Sequence, residues 1–323
     1  MKEEGHVESY PGTVQKGGSG RLPKLGFLLL GAIALFWGIS WPIMKMAVVE
    51  MGPWTFRSFC LLFGALGVFT VAKANRSWSP IPRGELRPLA IVAFFNVTCW
   101  HLASAYGLAY INAGRAAIVG FTMPVWASLL AVLFLKEKMN SSRLIGLGLG
   151  VAGLAVLLGP ELRVFGAAPL GTAFMLLAAM SWAAGVVFLK YFRWTLSTFN
   201  LTGWQLILGC IPVLFGTLIL EPLSGILRLS PKAAFATAYM VLIPIVLCNW
   251  AWFKVVQLFP TSIAAIGTLA VPVVGVLSSA LVLGEPIGLQ EIAALVLLTA
   301  ALSIVMLKPE GLSRRQEREN RSK

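Results

Sequence analysis

The chain has no aspartate. Its thirteen acids are all glutamate, and charged residues of both signs make up only 12% of 323 residues. A soluble domain carries about 25% charged residues. Histidine is nearly absent too, with only His6 and His101. The four cysteines (Cys60, Cys99, Cys210, Cys248) sit singly inside apolar runs, so they read as small buried hydrophobes rather than a disulfide framework or a zinc site. There is no Gly-x-x-x-x-Gly-Lys-Ser/Thr loop, no His-Glu-x-x-His and no Gly-x-Ser-x-Gly. These absences exclude ATP-driven work, a metalloprotease and a serine hydrolase. No metal and no cofactor are expected, and the chain is not expected to be an enzyme.

What is present is apolar. Hydrophobic residues make up 58% of the chain, and mean hydropathy is +0.82. One soluble core has no room for that much apolar surface, so the solvent over most of the length is lipid. The net charge of +13 lies in loops and two polar tails rather than on one soluble face, which argues against nucleic acid as a partner.

Residues 1–24 are polar and glycine-rich and read as a disordered tail. Residues 308–323 form a basic tail. Between them the chain divides at polar, Pro or Gly clusters into ten runs of membrane-spanning length. They cover 25–47, 55–73, 87–109, 113–135, 142–159, 168–191, 197–220, 233–257, 261–283 and 287–307. With both termini in the cytoplasm, 20 of the 26 Lys and Arg fall inside, as the positive-inside rule requires. The other six (Lys45, Arg57, Arg115, Arg163, Arg228, Lys232) then lie at outer helix ends or in outer loops.

The chain matches itself at a shift of 148 residues. Ala117-Ile118 meets Ala265-Ile266, Pro124 meets Pro272, Glu137 meets Glu285 and His101 meets Asn249. At a shift of 145, Trp37 meets Trp182 and Lys45 meets Lys190. Trp, Lys, Pro and Glu falling into register together mark a duplication. The halves are 25–159 and 168–307, with five spans each. An odd span count inverts the second half relative to the first and places a substrate site near the midplane between them. The expected fold is therefore an all-α integral membrane protein of ten transmembrane helices, two inverted five-helix repeats around a central cavity.

The run Ala34-Leu35-Phe36-Trp37-Gly38 through Lys45 and Arg57, then Asn112-Ala113-Gly114-Arg115-Ala116-Ala117, Pro124 and Leu135-Lys136-Glu137, resembles an EamA-type domain. The second half repeats the pattern with Trp182, Lys190, Thr261-Ser262-Ile263-Ala264-Ala265, Pro272 and Gly284-Glu285-Pro286. The likeness is to the drug/metabolite transporter superfamily, and the ten-span layout is similar to its bacterial amino-acid and metabolite exporters. It implies a multi-pass protein of the bacterial inner membrane that exports small molecules. One departure is Gln205, which stands where the first half has Arg57.

His101 and its mate Asn249 are mid-span polar groups, with Ser104 beside His101. Such groups usually face the bundle interior, so they are cavity candidates; the alternative is a bond to a neighbouring helix. Trp37, Trp41, Trp126 and Trp182 are candidate cavity walls, which suits aromatic or apolar solutes; packing is the alternative. Pro124 and Pro272 are hinge candidates or static kinks. Lys45 and Lys190 are gating candidates, or residues that snorkel and complement helix C-termini. Gly146, Gly148, Gly150 and Gly153 in span 5, with Ala293, Ala294, Ala300 and Ala301 in span 10, predict close-packed scaffold helices.

The leading expectation is a secondary exporter of amino acids, favouring aromatic and apolar ones, and of related metabolites. A multidrug exporter or a nucleotide-, sugar- or vitamin-type transporter is the alternative within the superfamily. Lipophilic cations rank lower because no acid sits mid-span. A receptor or scaffold is the alternative of another class. The expected partners are a small-molecule substrate and the lipid bilayer, and a monomer and a dimer both suit the composition.

Overall fold

The computed structural model describes residues 24–137, 139, 141–158, 167–221, 229–259 and 268–307. Both tails, Arg163, Arg228 and the Thr261–Ala265 motif lie outside them. The described elements are all helical, as lipid requires: a spanning segment must satisfy its own backbone N–H and C=O groups.

Helix α1 is Lys24–Met51 and α2 is Pro53–Ala74. The next span is α3 (Leu86–Ala93), a π-helical turn at Phe94–Cys99, and α4 (Trp100–Tyr110). Then come α5 (Ala113–Gly120), α6 (Met123–Leu135) and α7 (Ser141–Leu158). In the second half, α8 is Ala167–Tyr191 and α9 is Thr198–Leu220. The next span is α10 (Pro231–Met240), a π turn at Val241–Leu247, and α11 (Cys248–Leu258). Helices α12 (Ala270–Leu283) and α13 (Leu289–Leu307) complete it.

Seven of the described helices are long and apolar enough to cross a membrane: Lys24–Met51, Pro53–Ala74, Leu86–Tyr110, Ala113–Leu135, Pro169–Tyr191, Thr198–Leu220 and Pro231–Trp252. Three shorter apolar helices, Ser141–Leu157, Ala270–Leu283 and Leu289–Val305, stand where the sequence places spans five, nine and ten. Boundaries shift modestly; α1, for instance, runs on to Met51 rather than ending at 47.

Helix starts follow local chemistry. Pro53 and Pro231 occupy first-turn positions, where a missing N–H costs nothing. The Ser230 hydroxyl accepts from Ala233 N at 3.1 Å, capping α10. The two π turns lie in register with the sequence repeat, Cys99 against Leu247. Each π turn widens the ring of backbone bonds and leaves neighbouring carbonyls for side chains. Asn249 Nδ2 takes up two of them, donating to Ile245 O at 2.7 Å and Pro244 O at 3.4 Å.

Packing between the halves is reciprocal. Helix α1 lies on α12 and α11, while α8 lies on α6 and α4; α2 packs on α9, and α7 on α13. The α7–α13 contact depends on small residues. A Cβ at Gly146 would stand 2.2 Å from Val305 Cγ2 and 3.2 Å from Ala301 O, and one at Gly153 would stand 3.3 Å from Ala294 O. Gly150 instead faces Val125 on α6, and Gly148 has open space. So two of the four glycines make the stripe. Gly146→Leu is expected to lower stability in detergent by about 1–3 kcal/mol through overpacking, and Gly148→Ala to leave the melting temperature within a degree or so or raise it. Thermal unfolding of the two purified variants checks this.

Candidate functional site

At the end of the bundle where α1 finishes, Lys45 Nζ donates to Glu285 Oε1 at 3.1 Å and to the α4 carbonyl Ile111 O at 2.7 Å. Glu285 also accepts from Ala113 N at 2.8 Å and Gly114 N at 3.0 Å. The carboxylate therefore caps the N-terminus of α5, where the helix dipole favours negative charge. At the end where α8 finishes, Lys190 Nζ donates to Glu137 Oε1 at 2.5 Å, and Arg143 Nη2 donates to Glu137 Oε2 at 2.6 Å.

The two pairs are mates under the repeat, and each crosses between the halves. Each half gives a Lys from the end of its first helix to the other half's Glu. The same backbone device aims both carboxylates. Lys136 (φ 55°) and Gly284 (φ 68°) are left-handed caps directly before Glu137 and Glu285, and each turns the chain so that the next side chain points back over the bundle. The surroundings differ. The Lys45 side chain is 22% exposed, Lys190 68%.

The Lys190 bond, then the Arg143 contact, holds the Glu137 carboxyl below the usual carboxylate range despite partial desolvation. A lowered folded-state pKa gives stability that is full above the ordinary value of about 4.3 and lost as pH falls through the lowered one.

Near the same end as Lys45, Arg57 is buried. The sequence reading places it at an outer helix end. It is indeed one turn into α2, but it is 2% exposed and points into the protein. Its Nε donates to His101 O at 2.9 Å and its Nη2 to Ser104 Oγ and Met44 Sδ at 2.8 Å each. Ser104 is fully buried, and its hydroxyl donates back to His101 O at 3.1 Å. The His101 ring is half-buried, with Nδ1 sealed and without a partner. At the mate position in the other half, Gln205 accepts from Asn96 Nδ2 of the first half at 3.3 Å, a neutral side chain where the first half has a charge.

The tryptophans divide. Trp41 is buried in the main core, against Gly120 and Gly275. Trp37 is half-buried with Trp252, ring centroids 6.1 Å apart, and its Nε1 donates to Pro244 O at 3.3 Å, a carbonyl within the second π turn. Trp126 Nε1 donates to Thr122 Oγ1 at 3.1 Å. Trp182 is half-buried on α8. Pro124 begins α6 directly after a break at Phe121–Thr122, and Pro272 stands near the start of α12, after a turn at Leu269. Both prolines thus stand in the first turn of their helices, where a missing N–H costs no intrahelical bond. A recess of about 390 Å³ at the Lys45 end is lined by Asn112, Arg115, Pro286, Gly288, Leu289, Gln290 and Glu291, and the Arg115–Glu291 pair (2.6 Å) stands in its wall.

Residues 24–159 and 169–307 each match the profile of the EamA-like transporter family. The chain belongs to that family. It is 28% identical over 299 residues to the uncharacterized transporter YvbV of Bacillus subtilis, covering 90% of this chain and 95% of that one. It is 26% identical over 290 residues to a probable amino-acid metabolite efflux pump of Salmonella typhimurium, covering 87% of this chain and 94% of the pump. A solved crystal structure shares the fold at TM-score 0.59 and 16% identity, over 89% of this chain and 97% of that one. This EamA-family protein is thus a multi-span membrane transporter with a small-molecule substrate.

Sequence reasoning missed three features of the site. Glu137 and Glu285 stood in the repeat as landmarks, and their matching recurrence with Lys45 and Lys190 was the available signal for a pair. Arg57 sits in the apolar run Phe56-Arg57-Ser58-Phe59-Cys60, a setting for a buried cation rather than an interfacial one. The π turns have no hydropathy signature.

Two outcomes are expected. Gly284 has open space around it, so Gly284→Val costs about 1–2 kcal/mol by backbone strain alone and Gly284→Asn costs less; unfolding temperatures of the two variants rank them. The melting-temperature difference between the protein and Glu137→Gln shrinks as pH is lowered from 7 to below the usual carboxylate range, and a constant difference would contradict the lowered pKa.

Proposed function

We propose that this protein is a secondary exporter of amino acids, favouring aromatic and apolar ones, and of related small metabolites. It works by alternating access between two inverted five-span repeats in a bacterial inner membrane, with both termini cytoplasmic. The observation that carries this reading is the pair of reciprocal ion pairs, Lys45–Glu285 and Lys190–Glu137, at opposite ends of the bundle. Two similar halves that exchange Lys and Glu at each end have two near-equivalent ways to pack, one opening each side. The in-register π turns and the reciprocal packing of α1 on α12 and α8 on α6 support the same symmetry. The Salmonella relative's printed name supports the substrate class.

In this reading Lys45 and Lys190 are gates. Pro124 and Pro272 are hinges, because each follows a helix break that two packed bodies can bend about. Trp37, Trp41, Trp126 and Trp182 wall the pathway with His101, Ser104 and Asn249. No described acid is placed mid-span, so the pathway offers neither a carboxylate proton relay nor an anionic site for lipophilic cations.

Counterflow of radiolabelled amino acids into proteoliposomes tests the function, and no flux for any solute with ligand binding retained would favour a receptor. Trp37→Ala and Trp182→Ala are expected to change the substrate range while the protein stays monodisperse. Lys45→Gln and Lys190→Gln are expected to shift the apparent affinity measured from the two membrane faces in opposite directions. If both shift it the same way, the gate assignment is wrong.

A further inference from the structure

We propose that Arg57, with Ser104 and His101, is a binding site for the carboxylate of the transported solute. This inference deepens the transport reading above and rests on it. Arg57 is the only buried Lys or Arg among the described residues. Its partners among the described residues are neutral: a carbonyl, a hydroxyl, a thioether and the face of the Phe56 ring, 5.2 Å away. Its Nη1 makes no hydrogen bond to a described residue.

Every described glutamate is engaged elsewhere. Glu50 accepts from Ser230, Glu85 from Thr195, Glu137 from Lys190 and Arg143. Glu221 caps α2 through Trp54 N and Thr55 N, Glu285 holds Lys45, and Glu291 holds Arg115. A buried cation with no counter-charge is costly in a protein interior, and more so at membrane depth. With Nε and Nη2 already committed, Nη1 keeps its N–H donors for a charge-assisted bond to a carboxylate oxygen.

The neighbouring atoms fit the same role. Ser104 Oγ is already oriented on Arg57. His101 is half-buried as a residue, and its Nδ1 is a buried polar atom with no hydrogen-bond partner. Trp54 lies one turn before Arg57 on the same face of α2. Its Nε1 donates to Tyr106 OH at 2.6 Å, and Tyr106 stacks on Phe174 at 5.3 Å. An aromatic wall thus stands beside the cation. Gln205, at the repeat-equivalent position of Arg57, is uncharged, so the molecule has one such carboxylate site, not two. Among the described residues no acid stands ready for an ammonium group. The site therefore selects the acid end of the solute and rejects amines that lack it.

The test uses the full chain in detergent and in proteoliposomes, with four probes that share a ring: phenylalanine, 3-phenylpropionate, phenylalaninamide and phenethylamine. Binding is read by tryptophan fluorescence and transport by counterflow competition. The expected result is that the two carboxylates bind, and the amide and amine bind about 10- to 100-fold more weakly, the range of a charged hydrogen bond. Arg57→Gln is expected to abolish that preference and Arg57→Lys to keep part of it. Ser104→Ala serves as a milder variant in case Arg57→Gln fails to fold.

Equal binding of amine and acid by the unmodified protein would overturn the proposal, as would an unchanged preference in a folded Arg57→Gln. Displacement of 3-phenylpropionate by equimolar chloride or phosphate would show an inorganic-anion site instead, and would also overturn it. Absence of flux with the carboxylate preference intact would sink the transport reading while leaving this site standing. Flux without the preference does the reverse.

Discussion

Lipid supplies no hydrogen bonds and no counter-ions, so the backbone polar groups in the spans must find partners inside the protein. Much of the arrangement described here follows from that. The carbonyls around the second π turn are taken by Asn249 and Trp37. The free N-terminal amides of α5 are taken by Glu285, and those of α2 by Glu221. Thr122 stabilises the break before α6 by donating to Val119 O, and Trp126 holds the same hydroxyl. The scarcity of acids makes each one valuable, and all six described glutamates stand at helix ends or in loops.

The helices, and the family of the chain, were legible in the sequence because they rest on hydropathy and on residue identity. Run length against bilayer thickness places the helices within a few residues. The recurrence of Trp37, Lys45, Pro124 and Glu137 in the second half is the pattern from which a duplication was read. Contacts between the halves were less legible. Nothing local shows that Lys45 pairs across to Glu285, since the two are brought together only by the packing of α1 on α12. The four glycines of α7 looked like one stripe because spacing alone does not say which neighbour each meets; α13 takes two of them and α6 a third.

Arg57 shows the limit most clearly. Charge counting treats every Arg near a span end as interfacial, because a long side chain normally snorkels to water. Here the side chain turns inward to the His101 carbonyl and Ser104. The chain accepts that arrangement in only one half, with Gln205 in the mate position. Two stretches that match one family profile therefore differ in their chemistry at this position.

The unequal exposure of the two ion pairs has a consequence for how the protein meets its surroundings. Lys190 is mostly exposed, so dissolved ions reach its bond with Glu137 and screen it, over a Debye length of about 8 Å at physiological ionic strength. Lys45 is largely shielded, and its partner also holds two backbone amides, so salt has little access there. Ionic strength is thus felt more strongly at the Lys190 pair than at the Lys45 pair, and a rise in salt weakens the two ends of the bundle unequally.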